Sequence, residues 1–181
     1  MPTMATGEAS PNQRERLWQI DFLTRFRGQV TRQDLVQRFG IALSNATRDF
    51  ALYRQLAPDN LDYDHSDKVY RRTSHFQPLF TYDREHTLQT LTLGQGQGLE
   101  ACSQPILVDA APTLNQPDLD TLAAVSRAIY AGKALSIAYV SIDKALSIAY
   151  VSISSGETTR EIVPHSLVNT GLRWHTRAYC R

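Results

Sequence analysis

Residues 33–56, QDLVQRFGIALSNATRDFALYRQL, constrain the fold of this chain more than any other stretch. Thr31 is placed to cap a short helix, and Asp34, three positions on, completes a capping box. Leu35, Val36 and Phe39 form the apolar side of that helix, and Gly40 ends it. After IAL, Ser44 is placed to cap a longer helix, NATRDFALYRQLA, with Ala46, Phe50 and Tyr53 turned inward and Pro58 beyond its end. Two capped helices joined by a short turn that begins with Gly make a helix-turn-helix.

The flanks extend that unit. Upstream, RERLWQIDFLTRFRG carries Leu17, Ile20, Leu23 and Phe26 at helical spacing, with Trp18 and Phe22 beside the stripe and Gly28 as a stop. Downstream, LDYDHSDKVYRR alternates around the polar turn HSDK and predicts a β-hairpin. Three helices followed by a hairpin is the order of a winged helix, predicted over 12–76 after a disordered tail, 1–11.

Proteins of this architecture set the start of the second helix of the pair into the DNA major groove. Asn45, Thr47 and Arg48 are short or forked donors suited to base edges and phosphates, and Arg54, two turns on, suits the backbone. Arg32 and Ser44 at the helix starts, with Lys68, Arg71 and Arg72 on the hairpin, complete the candidate DNA-binding set. The alternative is a trihelical protein-contact module whose arginines are ordinary solvated charges. Charge tilts the reading only modestly: residues 12–72 hold eleven Lys/Arg against eight Asp/Glu, residues 73–130 two against six, and residues 131–181 six against three.

An apolar fraction of 42% and a charged fraction of 20% fit a globular chain, with no apolar run of the ~20 residues a bilayer crossing needs. The start, MPTMATGEASPNQ, lacks the basic end and apolar stretch of a secretory signal, so the cytoplasm is the expected compartment. Cys102 and Cys180 form no metal-ligand spacing and no disulfide framework, and no cofactor is expected.

The middle of the chain, 77–132, reads as a helical linker. EHTLQTLTLG fits a short helix or a strand, PILVDAAP fits a strand, and GQGQG lacks the pattern of a phosphate loop and reads as a turn. A helix over 118–131 is clearer, with Asp118 as its cap, Leu119, Leu122, Val125 and Ile129 on one face, and Gly132 closing it.

From residue 133 on, strands dominate. TTREIVPHSLVNTG reads as a strand interrupted by Pro164, and LRWHTRAYC alternates again after a turn at Asn169, Thr170 and Gly171. The run IAYVSISSGETTREIVPHSLVNTGLRWHTRAYC resembles the opening of a WYL domain, an Sm-like β-barrel of bacterial transcription regulators. RWHTRAY stands where that family has its Trp-Tyr-Leu: Trp174 matches, whereas His175 and Thr176 depart. That departure resembles the regulators of phage-defence loci of the BREX and CBASS types, which also place a winged helix-turn-helix before the WYL domain.

The resemblance implies an α+β protein with an N-terminal winged helix-turn-helix, a helical linker and a partial C-terminal Sm-like barrel over 133–181. It implies a homodimeric, non-enzymatic repressor of a phage-defence operon, nucleoid-associated, binding a palindromic operator under control of a nucleotide or nucleic acid at the WYL domain. The family continues with further WYL strands and a dimerisation domain beyond where this sequence ends. The residues suit an anion. Arg173, His175 and Arg177 alternate onto one strand face, where they repel one another unless an anion sits among them. His165, Tyr150 and Ser152 complete the candidate ligand set. Alternatively, the arginines pair with Glu157 or Glu161 and His175 is a structural histidine. A nucleotide-processing enzyme would need carboxylate pairs or a placed nucleophile that the pattern lacks.

One feature perturbs this domain. The ten residues 133–142, KALSIAYVSI, recur as 144–153 with only Asp143 between them. Two copies do not make a repeat architecture. Only the second adjoins SSGE and allows a tight hairpin, whereas only the first keeps its spacing from the preceding helix. The second is therefore expected to form the barrel strand and the first to be displaced as a loop, an extra edge strand or a helix extension.

Overall fold

The structure, a computed structural model, describes residues 9–92, 117–140, 157–169 and 174–180. It is α+β: helices α1 (Pro11–Phe26), α2 (Arg32–Phe39), α3 (Leu43–Leu56), α4 (Arg84–Thr92) and α5 (Leu119–Ala131), with strands β1 (Gln29–Val30), β2 (Leu61–Asp64), β3 (Val69–Arg72), β4 (Leu135–Val140), β5 (Glu157–Asn169) and β6 (Trp174–Cys180). The strands form two antiparallel three-stranded sheets, ordered β1-β3-β2 and β4-β5-β6. The second sheet is consistent with part of an Sm-like barrel.

Capping sets the helix-turn-helix. The Thr31 hydroxyl accepts from the Asp34 amide at 3.1 Å while the Asp34 carboxylate accepts from the Thr31 amide at 2.6 Å. Gly40 closes α2 in the left-handed region, φ 62°, where a side chain would be strained. Helix α3 departs from expectation at its start. Its cap is Ala42, which offers no side-chain acceptor, and Ser44 lies inside the first turn. Backbone geometry alone begins the helix there, because Ala46 N–H already reaches the Ala42 carbonyl at 3.2 Å.

The wing is the β2–β3 hairpin, in register from Leu61↔Arg72 to Asp64↔Val69. Its turn is held by the Asp64 carboxylate, which accepts from the Ser66 and Asp67 amides at 3.0 and 3.3 Å. Phe50 of α3 stacks on Tyr70 of β3 with ring centres 4.2 Å apart, fixing the wing against α3.

Helix α1 is buried on two sides. Leu17, Ile20 and Leu23 join Val30, Leu35, Ala46, Phe50, Tyr53, Leu61 and Tyr70 in the winged-helix core. Phe22 and Phe26 join Leu88, Leu122 and Ala123 in a second core, against which Trp18, Tyr82, Leu167 and Trp174 pack. Phe26 thus leaves the stripe that spacing alone assigned it. The second core ties the winged helix to α4, α5 and the β5–β6 sheet. Tyr82, Leu88 and Leu91 belong with it, whereas Leu79 and Phe80 pack against the winged-helix core, and EHTLQTLTLG is helical over its described part.

Buried Asp21 locks this arrangement. Its carboxylate accepts from the Tyr53 and Tyr82 hydroxyls and from the amides of Leu79, at 3.1 Å, and Phe80, at 3.4 Å. Burial pushes its carboxyl above the ordinary value, and these donors only partly offset that push. A second buried carboxylate, Asp49 of α3, receives Arg16 of α1 at 2.6 Å.

At the duplication, the first copy is an edge strand of the described sheet, one of the outcomes expected for it. Copy one supplies β4, paired to β5 from Leu135↔Ile162 to Val140↔Glu157; copy two lies outside the described residues, as do GQGQG and PILVDAAP. The helix explains this pairing. Gly132 caps α5 and Lys133 N–H bonds Ala128 O at 3.0 Å, so the docked helix delivers Leu135 directly to the sheet. Pro164 sits beyond the reach of β4, at a register shift against β6, where its missing N–H costs no ladder bond to β4.

Candidate nucleic-acid interface and ligand face

Helix α3 separates its residues cleanly. Ala46, Asp49, Phe50 and Tyr53 are buried, while Ser44, Asn45, Thr47, Arg48 and Arg54 are exposed. The Thr47 hydroxyl bonds back to the Leu43 carbonyl at 2.9 Å, which turns its methyl outward. Leu43, 56% exposed at the tip of α3, went unremarked in the sequence because IAL reads as a linker. An exposed Leu there suits a thymine methyl.

The remaining cations are placed differently from one another. Arg32 reaches from α2 to the wing, donating to the Tyr63 hydroxyl at 2.8 Å and lying over the Tyr63 and Tyr70 rings. Lys68 is exposed at the end of the wing turn in a left-handed conformation, φ 57°. Arg71, although exposed, is held by Asp64 at 3.0 Å and by Asp67, and these carboxylates raise its already high pKa. Arg72 is half-buried, donates to Thr73 O at 3.0 Å and lies over the Phe76 ring, away from the wing tip.

The second expected site lies on the β5–β6 ladder. Ser166 pairs with Arg177 and Val168 with His175, so His175 and Arg177 share one face, while Trp174 turns to the second core. His165 approaches the same strand from β5, its ring 5.1 Å from that of Tyr179. His165, His175 and Arg177 are all exposed, and Tyr179, 70% exposed, joins them although the sequence reading passed over it. Arg173, Tyr150 and Ser152 lie outside the described residues. No group of three or more metal-binding side chains occurs among the described residues, and no described helix is long and apolar enough to cross a membrane.

Comparison with known proteins matches both halves. Residues 12–93 match the model of the BrxR transcriptional regulator winged helix-turn-helix domain, and residues 140–181 match that of the WYL domain. Among curated proteins, a DNA-binding transcriptional repressor CapW of Escherichia coli (strain KTE188) is 36% identical over 181 residues, covering 93% of this chain and 55% of that protein. The proteins of the same name from Stenotrophomonas maltophilia and Pseudomonas aeruginosa are 32% and 33% identical. The chain spans little more than half the length of these relatives.

Proposed function

Because this chain joins a BrxR-type winged helix-turn-helix domain to a WYL domain, we propose that it is the DNA-reading and sensing portion of a transcriptional repressor. The observation that carries this reading is the split of α3, whose polar and basic residues from Ser44 to Arg54 stand exposed while its apolar residues anchor it. Asn45, Thr47 and Arg48 read base edges, with Leu43 against a thymine methyl. Arg32, Ser44, Arg54 and Lys68 take phosphates, where the first turn of α3, free of a side-chain cap, favours negative charge. Arg71 contributes less, because two wing carboxylates already hold it.

The target is double-stranded operator DNA in the cytoplasm, palindromic and read by a homodimer whose two recognition helices lie ~34 Å apart. The regulated genes form a phage-defence operon, as the resemblance to regulators of such loci implies. His165, His175 and Arg177, with Arg173, Tyr150 and Ser152 of the expected set, hold a nucleotide or oligonucleotide that shifts the DNA-binding equilibrium. Such a shift requires unequal affinity of that ligand for the two forms. No catalytic step belongs to this role.

A gel shift on the DNA upstream of the chain's own gene tests the reading. Arg48→Ala should weaken specific binding by about tenfold or more, the worth of one good base or phosphate contact. Binding and salt dependence that match the unsubstituted protein would refute α3 as the reading helix. Arg177→Ala should keep DNA binding and blunt the response to added oligonucleotide.

A further inference from the structure

Between the winged helix and α5 lies a cavity of about 590 Å³ that shares only Arg71 and Arg72 with the candidate DNA-binding set and no residue with the β5–β6 face. Arg27, Gln29, Arg71 and Arg72 line it from the winged helix, and Arg127, Tyr130 and Lys133 from α5 and the approach to β4. Arg27 is paired with Asp34 at 2.9 Å and Arg71 with the wing carboxylates. Arg72, Arg127 and Lys133 form no ion pair with a carboxylate among the described residues, although the Asp120 carboxylate, paired with Arg25, partly offsets the charge of Arg72 and Arg127.

These three cations differ in how they are held. Arg127 donates to the Arg25 carbonyl at 2.7 Å, the last turn of α1, and its side chain passes 3.4 Å from where a Cβ on Gly28 would stand. The Arg72 Nε is shut off from solvent and bonds to nothing. Lys133 is exposed at the cavity's edge. Burial lowers the pKa of both Arg72 and Arg127, and their neighbours Arg25 and Arg72 lower it further by like-charge repulsion. Such a cluster carries an electrostatic cost that a multivalent anion would relieve. Helix α5 also gives the cavity apolar lining of different chemistry: Ala124, Ala128 and Ala131 with Tyr130, which is 60% exposed.

We infer that this cavity binds a nucleotide carrying a polyphosphate, with the phosphates among Arg72, Arg127 and Lys133 and the base on Tyr130 and the alanine wall. A cavity of this volume is of the size that takes small-molecule ligands. Its walls come from two units, so the bound anion bridges the winged helix to the element that delivers β4. The site stands independently of the DNA-binding proposal and lies apart from the β5–β6 face.

Calorimetric titration of the 181-residue chain with ATP, inorganic tripolyphosphate and adenosine tests it. ATP should bind more tightly than tripolyphosphate, and adenosine far more weakly than either. Lys133→Gln, at an exposed position that leaves packing intact, should weaken ATP binding about tenfold, and Arg127→Gln at least as much. Tyr130→Ala should bring ATP down to the affinity of tripolyphosphate. Lys133→Gln should leave operator affinity unchanged in a gel shift. Failure of both phosphates to bind, or ATP affinity indifferent to Lys133→Gln, overturns the site. ATP binding lost in Arg177→Gln instead would move the anion to the β5–β6 face. A Lys133→Gln protein that loses operator binding but keeps ATP would assign this cavity to the DNA backbone. Equal affinity for ATP and tripolyphosphate would remove the nucleotide from the inference.

Discussion

The first seventy residues and the last fifty are built from similar amounts of local signal, yet they behave differently. In the winged helix each element is specified twice, once by its own caps and turn and again by its core. The α2 capping box, the Gly40 stop and the Asp64-held wing turn all agree with the burial of Leu35, Phe50 and Tyr70. In the β4–β5–β6 sheet, two identical segments carry the same side chains, so residue type alone does not distinguish them. The helix packed before the first copy delivers it to β5. Local and tertiary preferences that agree give one answer, whereas degenerate local preferences leave the decision to neighbours.

The largest way to break this contrast is at α1, which serves both regions. Phe22→Ala should destabilise the protein by about 3–5 kcal/mol, because the buried ring meets Trp18, Phe26 and Tyr82 and little can collapse into its space. Thermal unfolding measures it, and a loss below 1 kcal/mol would mean that the second core is not well packed. Asp21→Asn should follow at about 2–3 kcal/mol, since an amide turns donors toward the Leu79 and Phe80 amides.

Asp21 also predicts a pH trend. Its folded pKa lies above the unfolded one, so the folded state holds this proton more tightly. Its contribution to stability is therefore full below the ordinary carboxylate range and declines as pH rises through the raised folded value. Denaturant midpoints of the parent chain and of Asp21→Asn, compared across that window, should converge as pH rises; a difference that widens toward neutral pH would contradict the burial argument.

The duplication supplies a sharper and smaller test. Ile137→Asp should cost about 1–2 kcal/mol, because this half-buried strand residue belongs to β4, whereas Ile148→Asp should cost less than about 0.5 kcal/mol. Equal losses in chemical denaturation would show the two copies exchanging on β5. Removing eleven residues, either 133–143 or 143–153, yields the same single-copy sequence and so cannot tell the copies apart. That chain should fold with a gain of at most about 1 kcal/mol from the shorter connection, and failure to fold would mean that both copies are structural.

Much of the exposed face of α3 was legible from residue order. Inward Ala46, Phe50 and Tyr53 leave Asn45, Thr47 and Arg48 outside as a matter of helical geometry. Alternation likewise placed His175 and Arg177 together and turned Trp174 away, because a strand has a period of two. The cap of α3 was misread because a serine two residues inside a helix looks like one at its border. The destination of Arg72 was not legible at all. Beside Arg71 in sequence, it lies over the Phe76 ring and lines a cavity together with residues of α5.

What the sequence determined by itself is local: the capping box, the helix stops, the wing turn and the faces of α3 and β6, each set by groups within a few residues of one another. The tertiary structure decided the rest. It split the apolar residues of α1 between two cores, gathered Arg72, Arg127 and Lys133 around one cavity, and paired the first copy of the duplicated segment with β5. Those outcomes depend on which distant surfaces remove apolar area and charge from water together, and no short stretch of chain contains both partners.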